Sequence, residues 1–199
     1  MAKFSSNMER VLNSIVVKIS SLNKGGVEHD RIGRIGAESM LAEVRERIHS
    51  KGLSADNSSI GQYSRKPIYV SLKSNVGNNK SFGQPAGKNG NTTFSSGKKH
   101  KAKYFGEGYS QFKTAIGRNQ LGSVNLTLSG TMQNQLAVLP KSGGYGLGFQ
   151  NAELLKRALF FEQKKYKKQI WALSIDEKEL LKQIIKVEVK NAILRTNSN

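Results

Sequence analysis

Residues Ser123 to Phe149 read SVNLTLSGTMQNQLAVLPKSGGYGLGF, and the rest of the chain is arranged around them. Val124, Leu126 and Leu128 alternate with Asn125, Thr127 and Ser129, which is the period of a half-buried strand over about 123–129. Ser129-Gly130 breaks that run, and Ser129 is placed to cap one helical turn through Thr131, Met132 and Gln133. A second apolar run, Leu136 to Leu139, stops at Pro140. After the turn-rich Lys141-Ser142-Gly143-Gly144, Tyr145, Leu147 and Phe149 alternate with Gly144, Gly146 and Gly148. These runs predict an antiparallel hairpin with strands at about 136–140 and 145–150, one face of large side chains and one bare face. A bare glycine face implies that something packs close to the backbone.

Outward from this stretch the chain reads mostly as helices. On the C-terminal side, Asn151 caps a helical segment over about 151–166, with Leu154, Leu155, Ala158, Leu159 and Phe161 available for burial. Ile170 to Leu173 form an apolar link. Ser174 and Glu177 make the Ser-x-x-Glu capping box of a last helix over about 175–194. On the N-terminal side, Tyr109, Phe112, Ala115 and Ile116 share one face of a short helix at about 105–116, closed by Gly117. Ile32, Gly36, Met40, Val44 and Ile48 define a helix at about 30–50, with Asp30 as its cap and Arg45, Glu46 and Arg47 on a solvated face. Gly33 and Gly36 would permit close packing on another helix or strand. Phe4, Met8, Val11, Leu12, Ile15, Val16, Ile19 and Leu22 predict a first amphipathic helix at about 4–22, packed on the core or on a neighbouring subunit. Ile68, Val70 and Leu72 suggest a strand at about 67–72. Residues 75–103 are low in apolar side chains and read as a long basic loop or arm. The expected fold class is α+β: a single domain over 1–199, with a small antiparallel sheet flanked by amphipathic helices and a long basic loop insertion.

The net charge of +18 predicts association with a polyanion or an acidic protein surface. Between Asn57 and Ala152 the only acid is Glu107, against twelve Lys and Arg. Within that midsection Lys88, Lys98, Lys99, Lys101 and Lys103 are the candidate DNA or polyanion contacts, since lysine neutralises phosphate without fixed geometry. The alternative is an ordinary solvated loop. Tyr104, Phe105, Tyr109 and Phe112 could stack on bases, although their spacing also fits one helix face turned to the core. A hydrophobic content of 37% is low enough that part of the chain is expected to be loop or to be ordered against a partner.

Catalytic and metal chemistry find little footing. There is no cysteine, which removes disulfides and thiolate ligation. His29, His49 and His100 do not fall in a ligand-spaced pair, and Asp176, Glu177 and Glu179 suit the first turn of a helix. GGYGLG at 143–148 has neither the glycine spacing nor the strand–helix context of a dinucleotide loop. No enzyme activity, cofactor or metal is therefore expected. No run resembles a signal-peptide core or a membrane span, so a soluble protein made inside the cell, with no membrane partner, is the expectation.

The order of these pieces resembles the neck proteins of tailed bacteriophages, also called head–tail joining, tail-completion or virion morphogenesis proteins. The resemblance is carried by Arg47-Ile48-His49-Ser50-Lys51-Gly52, then Gly61-Gln62-Tyr63-Ser64, then Gly108-Tyr109-Ser110-Gln111-Phe112-Lys113 with Gly117-Arg118. It continues in Val124-Asn125-Leu126-Thr127-Leu128-Ser129-Gly130-Thr131-Met132, with Ser129 where threonine is commoner in the family, and in Ile170-Trp171-Ala172-Leu173-Ser174. The match runs in order from about Ile32 to Leu194, with 75–103 as an elaboration. It implies a non-enzymatic structural subunit of the virion, made in the host bacterial cytoplasm. Such a subunit assembles as a homo-oligomeric ring between portal and tail, with DNA in the channel. On that reading Gly143, Gly144, Tyr145, Gly146, Leu147 and Gly148 are candidates for a subunit, portal or tail interface. The alternative function is a free basic nucleic-acid-binding protein, such as a packaging or ribosome-associated factor.

Overall fold

Helix α1 (Val27–Arg45) is set by an apolar stripe, with Ile32, Ala37, Met40 and Val44 buried along one face. Glu28 and Asp30 in its first turn and Arg45 in its last complement the helix dipole. Asp30 does not cap the helix: it lies within it and accepts a hydrogen bond from the Tyr145 hydroxyl at 2.7 Å. The helix ends in one wider turn, Glu46–Ser50, closed by Lys51 N donating to the Glu46 carbonyl at 3.0 Å. That extra residue in the turn brings Arg47, Ile48 and His49 inward together. The computed structural model describes residues 27–71, 88–93, 97, 99–117, 123–127, 130–142 and 144–196. The helix expected at 4–22 lies outside them.

The partners of α1 explain its glycines. The hairpin forms as expected, from β4 (Leu136–Lys141) and β5 (Gly144–Phe149), in a register that pairs Leu136 with Phe149 and Lys141 with Gly144. Helix α1 packs on both strands, and Gly33 sits under the ring of Tyr145, where an added Cβ would lie 3.4 Å from Cδ2. The last helix (Ile175–Thr196) runs antiparallel to α1, with Arg31 Nη2 2.9 Å from Glu188 near one end and Arg47 Nε 2.7 Å from Glu177 near the other. Gly36 lets the two helices approach: a Cβ there would come within 2.9 Å of Leu181. The capping box starts this helix as expected, with Glu177 N donating to Ser174 Oγ at 3.1 Å and Ser174 N donating to Glu177 Oε2 at 2.7 Å.

A second antiparallel sheet contains β1 (Ile68–Ser71), β2 (Lys88–Thr93) and β3 (Lys99–Phe105), in the order β1-β3-β2. This corrects the expectation of a loop or arm over 75–103, because 88–93 and 99–103 are paired strand. The sequence KHKAKYF conceals a strand: Lys99, Lys101 and Lys103 share one face with the buried Phe105, and the other face carries the small buried Ala102 beside Tyr104, so no apolar run appears. Tyr104 and Phe105 belong to β3, and helix α2 spans only Gly108–Ala115.

Residues 123–127 are not a strand either. Ser123 makes a single bridge to Gln62, Val124 N donates to the Gly61 carbonyl at 2.9 Å, and Leu126 turns through φ +50°. The cause is local. Asn125 Oδ1 accepts from Thr127 N at 3.2 Å, a side-chain substitute for a ladder bond that bends the backbone. Residues 128–129, including the expected capping Ser129, lie outside the described set. The short helix α3 (Thr131–Gln135) starts instead from Gly130 at φ +78°. Helix α4 (Ala152–Phe160) is capped by Asn151, which accepts from Glu153 N at 2.8 Å and Leu154 N at 3.2 Å. It too ends in a wide turn, Phe161–Lys165, and the final helix is hereafter α5 (Ile175–Thr196). One core joins Met40, Val44 and Ile48 to Leu136, Leu147, Phe149, Trp171 and Leu181. The architecture is α+β.

Candidate functional site

Arg47 occupies the centre of a buried polar knot. Its Nε donates to Glu177 Oε1 at 2.7 Å, Nη1 to the carbonyls of Leu53 and Ile170 at 3.1 Å each, and Nη2 to the Ala172 carbonyl at 2.7 Å. Both side chains of the ion pair are under 10% exposed, at 6% and 7%. The expectation of a solvated face at 45–47 therefore fails for Arg47. A guanidinium offers a rigid fork of donors, and here each arm meets a fixed acceptor. Glu177 serves the cap of α5 with one oxygen and the arginine with the other.

Asn125 is a second hub nearby. The Tyr63 hydroxyl donates to its Oδ1 at 2.8 Å and accepts from its backbone N at 3.2 Å. Lys113, 1% exposed, reaches Asn125 Oδ1 at 3.3 Å and the Thr127 carbonyl, with Nζ 5.2 Å from the centroid of the Tyr63 ring. His49 Nδ1 lies 3.0 Å from both the Asn125 carbonyl and the Thr127 hydroxyl. A carbonyl only accepts, so Nδ1 carries the proton. Burial pushes the His49 pKa down to about 4, assisted by the charges of Arg45 and Lys113 and opposed by the bond to Asn125, so the ring is neutral at pH 7.

The two hubs draw together segments far apart in sequence. Gly52, at φ +68°, sits so close to the Val124 carbonyl that a Cβ would lie 2.8 Å from it. Gly108, at φ +71°, leaves no room beneath it, since a Cβ would meet the Lys66 carbonyl oxygen at 2.3 Å. Ser110 N donates to the Ser64 carbonyl at 3.2 Å. Thus the segments beginning at Arg47, Gly61, Gly108, Val124 and Ile170 pack on one another.

The charged candidates fall on the three-stranded sheet. Lys99, Lys101 and Lys103 alternate along β3 and share one face, a two-residue step of about 6.7 Å. Lys99 and Lys101 are exposed and Lys103 is half-buried. Lys88 lies in β2 opposite Tyr104, outside that lysine row, and Lys98 lies outside the described residues. Tyr69, 51% exposed, packs against Tyr104 on the other face, with ring centroids 5.0 Å apart and planes tilted by 49°.

The hairpin candidates divide. Gly146, Leu147 and Gly148 are buried against this chain's own helices, so the glycine-bearing strand is not the open contact face expected. Gly144 and Tyr145 are half-buried, with Tyr145 tied to Asp30, and Gly143 lies outside the described residues. Among the described residues the exposed part of the hairpin is its tip, from Pro140 to Ser142.

Among the described residues no group of three or more His, Asp or Glu could hold a metal ion, and no helix is long and apolar enough to cross a membrane. Sequence reasoning missed Arg47, Tyr63, Lys113 and Asn125. Two of them carried a signal: Arg47 lies three residues after Val44 and seven after Met40, on the apolar stripe itself, and Lys113 follows Tyr109 by one helical turn. No family model, curated protein or solved structure matches the chain.

Proposed function

We propose that this protein is a structural subunit of a tailed-phage neck, part of a homo-oligomeric ring that joins portal to tail and encircles DNA, located in the assembled virion. The observation that carries the reading is the convergence of the five resembling segments on the Arg47 and Asn125 hubs. Residues that bear the likeness in sequence cooperate in one structural unit rather than being scattered across the surface. The lysine row on β3 offers a surface for the DNA of the channel, and the hairpin tip at Lys141 and Ser142 offers one for a neighbouring subunit, portal or tail protein.

The test is electron microscopy of the purified chain, alone and with portal protein, followed by labelling of intact particles. The expected result is rings and a label at the head–tail junction. A chain that stays monomeric, binds neither portal nor tail protein and leaves the junction unlabelled overturns the reading. The lysine row also favours a second reading, a free nucleic-acid-binding protein. That reading requires the isolated monomer to bind DNA tightly, with affinity falling steeply as salt rises.

A further inference from the structure

A cleft of about 300 Å³ opens between α2, residues 126–127 and 130–132, and the end of α4, with Tyr63 and Thr127 of the Asn125 hub on its wall. Four aromatic rings line it: Tyr63, Tyr109, Phe161 and Tyr166. Leu126, Met132 and Leu154 add aliphatic surface. Among the described residues its charged lining groups are the exposed Arg157 and Lys165, and none of the described lining residues is an acid. The wide turn that ends α4 shapes this rim, because it places Phe161, Lys165 and Tyr166 around the same opening. Lys165 Nζ stands 5.5 Å from the Phe161 centroid and 5.2 Å from the Tyr166 centroid, so the cation is held against the rings. Tyr166 in turn rests on Gly61, where a Cβ would approach its ring to 3.1 Å. Burial pushes the phenols of Tyr109 and Tyr166 up to about 12, which keeps both as neutral hydrogen-bond donors.

We propose that this cleft is a docking site for a short acidic peptide segment of another protein, which inserts one large apolar side chain among the rings and places a flanking carboxylate on Arg157 and Lys165. Its volume lies at the lower end of the range for ligand pockets, and an aromatic anchor in a pocket with a charged rim is the usual form of a binding hot spot. A single nucleic-acid strand fits less well. It needs a cationic groove along its backbone and ring faces open for stacking. Here the cations occupy one rim only, and Tyr63 and Tyr109 meet at 56° instead of presenting parallel faces. The cleft is complete within one chain, so the inference does not depend on ring assembly.

The test uses the full chain and two labelled probes of equal charge, acetyl-Asp-Glu-Phe-Asp-Glu-amide and the same peptide with Ala for Phe, compared by fluorescence anisotropy at about 0.15 M salt, where nonspecific attraction to a cationic surface is screened. The phenylalanine peptide is expected to bind roughly tenfold or more tighter, the amount that burying its ring supplies. Thr131→Trp, which fills the cleft from an exposed lining position, should abolish that preference. Arg157→Gln combined with Lys165→Gln should weaken the phenylalanine peptide roughly tenfold, while Lys99→Gln with Lys101→Gln leaves the preference intact. Equal binding of the two peptides overturns the proposal, as does a preference that survives Thr131→Trp. So does a thymidine oligonucleotide whose binding is lost in Thr131→Trp while the peptides show no preference.

Discussion

Arg47 and Lys101 are both cations on basic stretches of the chain, and the fold uses them in opposite ways. Arg47 meets Glu177 and the carbonyls of Leu53, Ile170 and Ala172, with 5% of its surface exposed. Lys101 stands exposed in the row of lysines along β3. The difference lies in the acceptors that converge on each. A buried charge is tolerated only where fixed partners replace its lost hydration, and an arginine fork can engage several at once. A lysine on a strand's solvent face keeps its water until a polyanion displaces it. The first kind of cation is part of folding, and the second kind is available for a partner.

The sharpest way to break that comparison is to truncate one member of each class. Arg47→Ala leaves a buried carboxylate and three carbonyls without their donor, and is expected to cost about 3–5 kcal/mol in urea unfolding. Lys101→Ala should change stability by less than about 0.5 kcal/mol. Arg47→Lys should recover little of the loss, because an ammonium cannot span the same acceptors. If Arg47→Ala cost no more than Lys101→Ala, the knot would be an incidental feature of the fold.

The second prediction uses His49, which links the two hubs to the core and packs 6.2 Å from Trp171. Its folded pKa is about 4, below the ordinary 6.5. Between those values the unfolded chain binds the proton and the folded chain does not, so stability falls as pH drops from about 6.5 to about 4. The shift corresponds to about 3 kcal/mol at full extent. Glu162, whose pKa is raised chiefly by burial, acts with the opposite sign at the acidic end of this window, so the quantity to compare is wild type minus His49→Asn. That difference should shrink with acid. Parallel pH profiles for the two proteins would show that the imidazole is not held neutral by its surroundings.

Much of the fold was legible because its signals are local. The hairpin at Leu136–Phe149, the Asn151 cap and the Ser174–Glu177 box each depend on residues a few positions apart, and the α1 stripe with Gly33 and Gly36 announced close packing on another helix or strand. The misses share one physical origin, which is that the deciding partner lies far away in sequence. β3 reads as a basic loop because its pairing is satisfied by β1 and β2, not by its own composition. Residues 124–127 read as a strand because Val124, Leu126 and the polar residues between them alternate. Asn125 instead turns inward to Tyr63, 62 residues earlier, and the alternation no longer separates core from solvent. Of the candidate site, the lysines of β3 were found by charge alone. The cleft was not, since Tyr63, Tyr109 and Tyr166 converge only after folding.

The smallest effect on stability belongs to the lysine row, and there the comparison is sharpened from the other side. Lys99→Gln, Lys101→Gln and Lys103→Gln together should leave the unfolding free energy nearly unchanged for the two exposed positions, with any loss traced to half-buried Lys103 by its single variant. Binding to duplex DNA should respond differently. Each lysine that neutralises a phosphate contributes about 0.9 to the slope of log affinity against log salt, so the triple variant should flatten that slope by up to about 2.7. The readout separates position from mere charge. Lys182→Gln, Lys186→Gln and Lys190→Gln on α5 remove the same number of charges from a different surface and should lower affinity slightly, with little change of slope. If the α5 variant flattens the slope as much as the β3 variant does, DNA follows the net charge of +18 and not the strand. The contrast between Arg47 and Lys101 would then reduce to burial alone.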